Sequence, residues 1–337
     1  MMRTREEIDM SIADYPHRPG AHCGSASLRN LAAHYGWGFD EPLCFGLGAG
    51  IGFGYYEKGP ASRTIMGRTS WLESSFFDTL AIPFAEEDGS DWETAWEAVN
   101  ARIVGGTPVV LFADLYYLDY YGADTQFGPH TLVCLGTEGD EVLLSDSEFE
   151  TVQRLPIDRL RQAWGSEHGF VGPLSNRWLA VDGERPSPNA SIECAARAAI
   201  ARAAKGMLTD DESGAWGTQG VAGIRRFARE LPGWTELNDV SWSARFAYQN
   251  IERRGTGGGA FRRLYADFLA QLDFLDDSFA DRTRAIADDW SALGETLRVA
   301  SETPTTETFE RAGEQAAAIA DREEELFVDL RDGMGED

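Results

Sequence analysis

Lysine is almost missing from this chain: of 30 basic residues only Lys58 and Lys205 are lysines, leaving 28 arginines against 56 acidic residues and a net charge of −26. A protein without a basic face cannot neutralise phosphates, so no nucleic-acid partner is expected. An even acidic excess with so little lysine suits concentrated salt, where the Debye length falls to about 3 Å at 1 M and self-repulsion is screened. A halophilic source is the expectation. Long apolar runs are missing too: about 18 consecutive apolar residues would be needed to span a membrane, and the opening MMRTREEIDMSIADYPHRPG has no apolar signal-peptide core. These absences predict a soluble, cytoplasmic protein with no membrane partner. Cysteine is sparse, at 23, 44, 134 and 194. No CxxC pair suggests zinc and no dense framework suggests secreted disulfides, so no metal is expected and a reducing compartment suits a free thiol.

What is present is length and texture. At 337 residues the chain exceeds what one core organises, and two domains are expected. From Cys23 the row CGSASLRNLAAHYG spaces Ala26, Leu28, Leu31 and Ala32 as a helix that starts at the cysteine and closes on glycine. The next stretch, LCFGLGAGIGFGYY, is too glycine-rich for a helix and predicts close backbone packing. DWETAWEAVNARI reads as an amphipathic helix ended by Gly105 and Gly106. Two extended runs follow, PVVLFADLYYLDYY and HTLVCLG, the second joined to EVLLSD through the turn TEGD as a hairpin. A short helix, RLPIDRLRQAW, and a last strand, NRWLAVD, complete an α+β domain over 1–185. The turn-rich row GERPSPNAS is the expected linker. Beyond it ECAARAAIARAAKGML, GIRRFAREL, AFRRLYADFLAQLDFLDD and ERAGEQAAAIADREEELFVDL predict an all-helical domain over 190–330, with the terminal DGMGED disordered.

A helix N-terminus favours a thiolate through its unpaired N–H groups and dipole, and Cys23 sits where a helix begins. An isolated cysteine is more often a small buried residue, so the base decides the matter. Five histidines exist, at 17, 22, 34, 130 and 168. His22 adjoins Cys23, but sequence neighbours rarely aim both side chains at one point, and His34 lies a helix away. His130 opens a strand in GPHTLVCLG, and the hairpin's geometry puts position 147 opposite it with Asp146 beside that, good to about one residue. Cys23, His130 and Asp146 thus follow papain order: a thiol on a helix, then a base and its orienter on adjacent strands.

The rows HRPGAHCGSASLRNLAAHYG, EPLCFGLGAGIGFGYY, PVVLFADLYYLDYY and PHTLVCLG with LLSDSE resemble the N-terminal domain of the butirosin biosynthesis protein H family. That resemblance covers about residues 14 to 180 and implies a papain-like fold, similar to bacteriocin-leader peptidases. The family's namesake moves an aminoacyl group from an acyl carrier protein thioester to an aminoglycoside amine, a step of secondary metabolism. The resemblance therefore implies an acyl thioester donor on phosphopantetheine, carried by a carrier protein or CoA, and a small amine acceptor, with no bound cofactor. The helical remainder, especially RGTGGGAFRRLYADFL, resembles the uncharacterised domain that often follows. In one respect the chain departs from papain-like peptidases: their oxyanion glutamine, six residues before the cysteine, is His17 here. Either His17 substitutes, or the hole is built from the Cys23 N–H and another donor.

Weaker signals carry two readings each. Glu41 could recognise a substrate amine or be a solvated loop carboxylate. Asp114, alone in the apolar run VVLFADLYYL, needs partners and is either a site residue or a structural ion pair. Tyr117, with Tyr116, Tyr120 and Tyr121, could line a pocket or form core. Arg262 and Arg263 after GTGGG could hold the phosphate of a phosphopantetheine arm, or the glycines could be a flexible loop. Cys44, Cys134 and Cys194 read as packing residues. Three functions stay open: acyl transfer through a Cys23 acyl-enzyme, hydrolysis as a peptidase or amidase, and a non-catalytic binding module. Oligomeric state also stays open, a homo-oligomer included.

Overall fold

The computed structural model describes residues 10–59, 61–169, 172–183, 186–209 and 217–334. The chain runs β1 (Met10–Ser11), α1 (Cys23–Tyr35), α2 (Glu41–Leu47), β2 (Ile51–Tyr56), β3 (Thr64–Arg68), α3 (Leu72–Thr79), β4 (Phe84–Glu87) and α4 (Trp92–Val104). It continues through β5 (Val109–Ala113), β6 (His130–Glu138), β7 (Glu141–Ser145), β8 (Gln153–Pro156), α5 (Ile157–Trp164) and β9 (Trp178–Val181). Then come α6 (Ile192–Met207), β10 (Thr218–Gln219), α7 (Gly220–Glu230), α8 (Val240–Glu252), α9 (Arg262–Leu269), α10 (Ser278–Glu302) and α11 (Thr306–Met334). The fold is α+β with a helical C-terminal region. The expected disorder of DGMGED does not hold for its first half, since α11 carries Asp332 to Met334; residues 335–337 lie outside the described residues. No described helix is long and apolar enough to cross a membrane.

Two compact units form, and they do not divide at one point: the first takes Met1–Phe39 and Ile82–Pro188, the second Asp40–Ala81 and Asn189–Asp337. The expected 1–185 unit therefore loses residues 40–81. Their apolar side chains explain the exchange, because Phe53 stacks on Trp290 at 5.4 Å and Phe45 on Phe261 at 5.7 Å between centroids.

The first unit is built on an antiparallel sheet in the order β4-β9-β5-β6-β7-β8, with β1 added to β6. Alternate residues of β5, Val109, Leu111 and Ala113, join Leu132 and Cys134 of β6, Val142 and Leu144 of β7, Val99 and Ile103 of α4, and Trp164 of α5 in one core. Both faces of β5 are covered, which is why the run reads as continuously apolar. The run nevertheless stops at Ala113. Asp114 accepts hydrogen bonds from the backbone N–H of Tyr116 and of Phe127 and turns the chain into a 3-10 turn over Leu115–Tyr117, so the expected long extended segment is cut to the five residues of β5. In the β6–β7 hairpin Glu138 pairs with Glu141, two residues beyond the expected pairing, and an irregularity between Cys134 and Gly136 takes one residue back, leaving an offset of one.

In the second unit β10, β2 and β3 form a small antiparallel sheet, so two strands come from the expected first domain and one from the expected helical one. The glycine-rich segment is helical at its start, contrary to expectation: Asp40 caps α2 by accepting from the Leu43 N–H. Close approach does explain Gly46, since a Cβ there would lie 2.0 Å from Cγ of Phe268. α8 and α10, not foreseen in the sequence, complete the helical layer with α7, α9 and α11.

Candidate active site

The site is built from the start of α1 and the ends of β6 and β7. Small residues Gly24, Ser25, Ala26 and Ser27 fill the buried first turns, and Gly36 in the left-handed region, φ 76°, ends the helix. Cys23 is the first helical residue, so its sulfur lies at the positive end of the helix dipole. The cap is His22, whose extended backbone lets its ring fold over the first turn, where Nδ1 accepts from the Ser25 N–H at 3.2 Å. That folding also brings the imidazole near the thiol, whose ionisation His22 and His130 both favour. The expectation that His22 and Cys23 would not converge is corrected by the cap geometry.

His130 is the first residue of β6 and is nearly buried. Its Nε2–H donates to Oδ2 of Asp146 at 2.9 Å, which leaves Nδ1 for the sulfur. Asp146 is fully buried just past the end of β7. Its Oδ2 also accepts from the Tyr120 hydroxyl at 3.1 Å, and its Oδ1 from the Glu148 N–H at 3.2 Å. The ring of Tyr121 stands edge-on to His130, centroids 5.6 Å apart. Cys23, His130 and Asp146 are thus brought together, and the one-residue hairpin offset does not matter because Asp146 reaches back from beyond the strand.

The electrostatics follow from these contacts. Burial alone would raise the Cys23 thiol, but the His22 and His130 imidazoles outweigh it and hold the thiol well below its usual range. Burial would likewise lower His130, yet the Asp146 carboxylate and the Cys23 sulfur raise the ring well above its usual value. For Asp146 burial is opposed by His130, and the carboxyl ends below the usual carboxylate range. All three directions favour a thiolate–imidazolium pair braced by a carboxylate. Cys134, buried in the core, has its thiol pushed up to about 12 by burial and is inert by comparison. Cys44 is buried as well, whereas Cys194 is exposed, so its expected packing role is corrected.

His17 does not supply an oxyanion donor in this arrangement. Its Nε2–H donates to the Phe149 carbonyl at 2.9 Å, so Nδ1 is left to accept from the Ser145 hydroxyl at 2.8 Å. Together with the Gly20 N–H on the Ser147 carbonyl at 2.9 Å, it fastens the segment leading to Cys23 onto the segment carrying Asp146.

The weaker candidates fall elsewhere. Asp114 is fully buried, and its Oδ2 accepts from the Ser166 hydroxyl at 2.7 Å while Oδ1 holds the two backbone N–H groups, so its role is structural. Tyr117 packs on the first unit's core beneath the Arg159 guanidinium, and Tyr120 and Tyr121 are the tyrosines that touch the site. Glu41 lies in the first turn of α2, buried, within the second unit. Arg262 is buried against Glu323. The Gly258 and Gly259 N–H groups are already taken by Thr256 and Glu252, and Arg263 pairs with Asp288, so this segment is not a phosphate cradle. Among the described residues no group of three or more His, Cys, Asp or Glu side chains is arranged to hold a metal. The sequence reading set His22 aside, and it offered Tyr120 only as one of four tyrosines that could line a pocket. Only a histidine at a cap position, where Ser, Thr, Asp and Asn prevail, could have signalled His22.

A thiol activated on a helix N-terminus, beside a base held by a buried carboxylate, defines a cysteine-nucleophile enzyme. Residues 158–330 match the model of a domain of unknown function, DUF4872, and residues 22–147 match that of the butirosin biosynthesis protein H N-terminal domain. The first match spans half the chain: the protein belongs to the DUF4872 family, with a papain-like butirosin-H-type domain ahead of it. Among solved structures, a protein described as a C39-like peptidase from Bacillus anthracis is similar at 14% identity, over 52% of this chain and 98% of that one, with a TM-score of 0.37. No curated protein matches the sequence.

Proposed function

We propose that the protein is a cysteine-dependent acyltransferase that passes an acyl or aminoacyl group from a carrier-protein or CoA thioester to an amine. The observation that carries this reading is the Cys23 sulfur between two imidazoles, with His130 tied to a fully buried Asp146. The Cys23 thiolate attacks the thioester carbonyl, forming the S–C bond and pushing the carbonyl pair onto oxygen. Collapse expels the donor thiol, which takes the proton from the His130 imidazolium and leaves a Cys23 acyl-enzyme. A neutral amine then attacks; His130 takes its proton, and Cys23 departs as thiolate. Asp146 orients His130 throughout. The match of residues 22–147 supports transfer over hydrolysis, since that model is named for a biosynthetic protein. Glu148 supports an amine acceptor: it is an exposed carboxylate beside the site that makes no ion pair among the described residues. Its carboxyl is raised by partial desolvation and, against the opposing pull of His130, by the Asp146 and Cys23 charges, and an incoming cationic group would relieve that repulsion.

Intact-mass measurement after mixing with acyl thioesters tests the proposal. An adduct on Cys23 that persists alone and is discharged by added amine is expected. Rapid release without amine would make the protein a hydrolase, and no adduct with any donor would leave a binding module.

A further inference from the structure

The segment that leads into α1 is bonded on two sides. Toward the helix, the Arg18 carbonyl accepts from Nη2 of Arg29 at 2.5 Å and from Nδ2 of Asn30 at 3.0 Å, both buried residues of α1. The segment is thereby fixed to the helix whose first residue is Cys23. Toward the sheet it meets a β-turn that begins at Asp146, closed by the Phe149 N–H on the Asp146 carbonyl at 3.1 Å and by the Glu148 N–H on Asp146 Oδ1 at 3.2 Å. The His17 ring accepts from the Ser145 hydroxyl just before this turn and donates to the Phe149 carbonyl at its end, while the Gly20 N–H donates to the Ser147 carbonyl in its middle. Asp146 is thus gripped on both sides by one imidazole, and the grip runs back to α1 through Arg18.

We infer that His17 is a positioning residue for the proposed acyl transfer: it sets where the Asp146–His130 pair stands relative to the helix that carries Cys23. The place that holds an oxyanion glutamine in papain-like peptidases is used here for mechanics. A neutral imidazole has one N–H, and that of His17 is spent on the Phe149 carbonyl, so it has no second donor to turn toward an acyl oxygen. What the ring offers instead is one acceptor and one donor on a rigid plane, which suits it to span two points of a turn. The Asp146 carboxylate holds Nε2 of His130 at 2.9 Å, so any drift of the turn is passed to the base. Such drift is costly, because a base must stay within hydrogen-bond reach of the proton it moves, and about 1 Å of misplacement can cost about 10²-fold in rate. His17 moves no proton and acts only through Asp146. The inference rests on the reading that Cys23 is the acylated nucleophile.

A double-mutant cycle separates positioning from a merely structural tie. The full-length parent, His17→Ala, Asp146→Ala, the double variant and His17→Gln are acylated in single turnover with the acetyl thioester of N-acetylcysteamine, reading the Cys23 adduct by intact mass, with thermal unfolding followed alongside. His17→Ala is expected to slow acylation by about 10- to 10²-fold. In the Asp146→Ala background the same substitution should change the rate by less than about twofold, since a residue that acts through Asp146 has nothing left to position. His17→Gln returns a donor and an acceptor at the end of the side chain and should recover the rate to within about threefold of the parent. Equal slowing in both backgrounds, or a parental rate in His17→Ala with only a lowered Tm, would overturn the inference and leave His17 a structural tie. A His17→Gln rate well above the parent's would overturn it in favour of an oxyanion duty at this position. Should His17→Ala fail to fold, Ser145→Ala removes one of the two bonds, and its slowing of about threefold to tenfold should likewise disappear beside Asp146→Ala. A parent that forms no adduct would bring down the acyl-enzyme reading and this inference with it, whereas an adduct in the parent with an additive cycle brings down this inference alone.

Discussion

Each unit buries a constellation of charge, and the two are built to opposite ends. In the second unit Arg262 donates through Nε and Nη2 to the two oxygens of Glu323, both at 2.7 Å, and through Nη1 to the carbonyls of Gly52, Gly67 and Ala260. Glu323 also accepts from the Trp290 indole at 2.7 Å. Every polar group is occupied by a partner that cannot change its protonation, so the cluster is a clasp for α9, α10, α11 and strands β2 and β3 of the small sheet. In the first unit the sulfur of Cys23 is held only by groups that can exchange or share a proton, and its partners push its ionisation down instead of merely satisfying it. A buried charge is therefore no sign of function by itself. What marks a site is a buried charge whose partners leave a reactive atom poised.

The largest expected effects break this comparison from both sides. Cys23→Ala should abolish acylation and turnover with little loss of stability, since the residue is only partly buried and contributes a small side chain. Arg262→Ala should do the reverse within its unit, destabilising by about 3 to 5 kcal/mol in urea unfolding, because Glu323 is left as an uncompensated buried charge. Replacing both partners with leucine, often neutral for a buried pair, should not rescue this one: the carbonyls of Gly52, Gly67 and Ala260 would still lose their donor. A double variant as stable as the parent would show that the clasp is an ordinary ion pair.

Next in size is the orienting carboxylate. Asp146→Ala should slow turnover by up to about 10⁴-fold, by analogy with orienting carboxylates in serine proteases, and Asp146→Asn less, because an amide can still hold the ring. Glu148→Ala should leave this orientation intact, since Glu148 reaches Asp146 only through its backbone N–H. The pH dependence has a definite sign. The acid limb of alkylation at Cys23 should lie well below the usual thiol value of 9.0 and the alkaline limb of turnover above the usual imidazole value of 6.5, because only the thiolate–imidazolium form between them is active. For stability, the raised His130 contributes fully below 6.5 and loses its contribution as pH rises through its folded value, while the lowered Asp146 contributes above 3.8 and loses its contribution as pH falls through its own. The stability cost of Asp146→Ala should therefore be largest between those two values.

Much of this was legible because it depends on local signals. The helix starting at Cys23, the strand starting at His130 and a carboxylate near the far end of the hairpin all follow from periodicity and turn chemistry. The failures share a cause: they depend on what a segment packs against. Residues 40–81 read as part of the first domain, yet Phe45 and Phe53 find their partners at Phe261 and Trp290, more than 200 positions on. Arg262 after GTGGG suggested an anion site, and only its distant partner Glu323 shows otherwise. His22 was set aside on a sound generalisation about sequence neighbours, which fails at a helix cap because the cap residue's side chain turns back along the chain.

Tyr120 offers the finest division between a partner that satisfies and one that tunes. Its hydroxyl donates to the same Asp146 oxygen that receives the His130 proton donor, and its own ionisation is pushed up by burial and by that carboxylate, so it remains a donor at any working pH. Tyr120→Phe removes this bond without touching His130 or Cys23. Hydrogen bonds to charged groups contribute about 1.5 to 3 kcal/mol to stability, but only the part that differs between ground and transition state appears in the rate. A loss of about threefold to tenfold in turnover is expected, much smaller than for Asp146→Ala. If Tyr120 were merely packing, the pH profile would keep its shape. If instead it draws charge from Asp146, its removal makes the carboxylate a stronger partner for the imidazolium, His130 holds its proton more tightly, and the alkaline limb moves to higher pH. An unmoved limb would place Tyr120 with the clasp residues of the second unit, as a group that fills a hydrogen bond and does nothing to the chemistry.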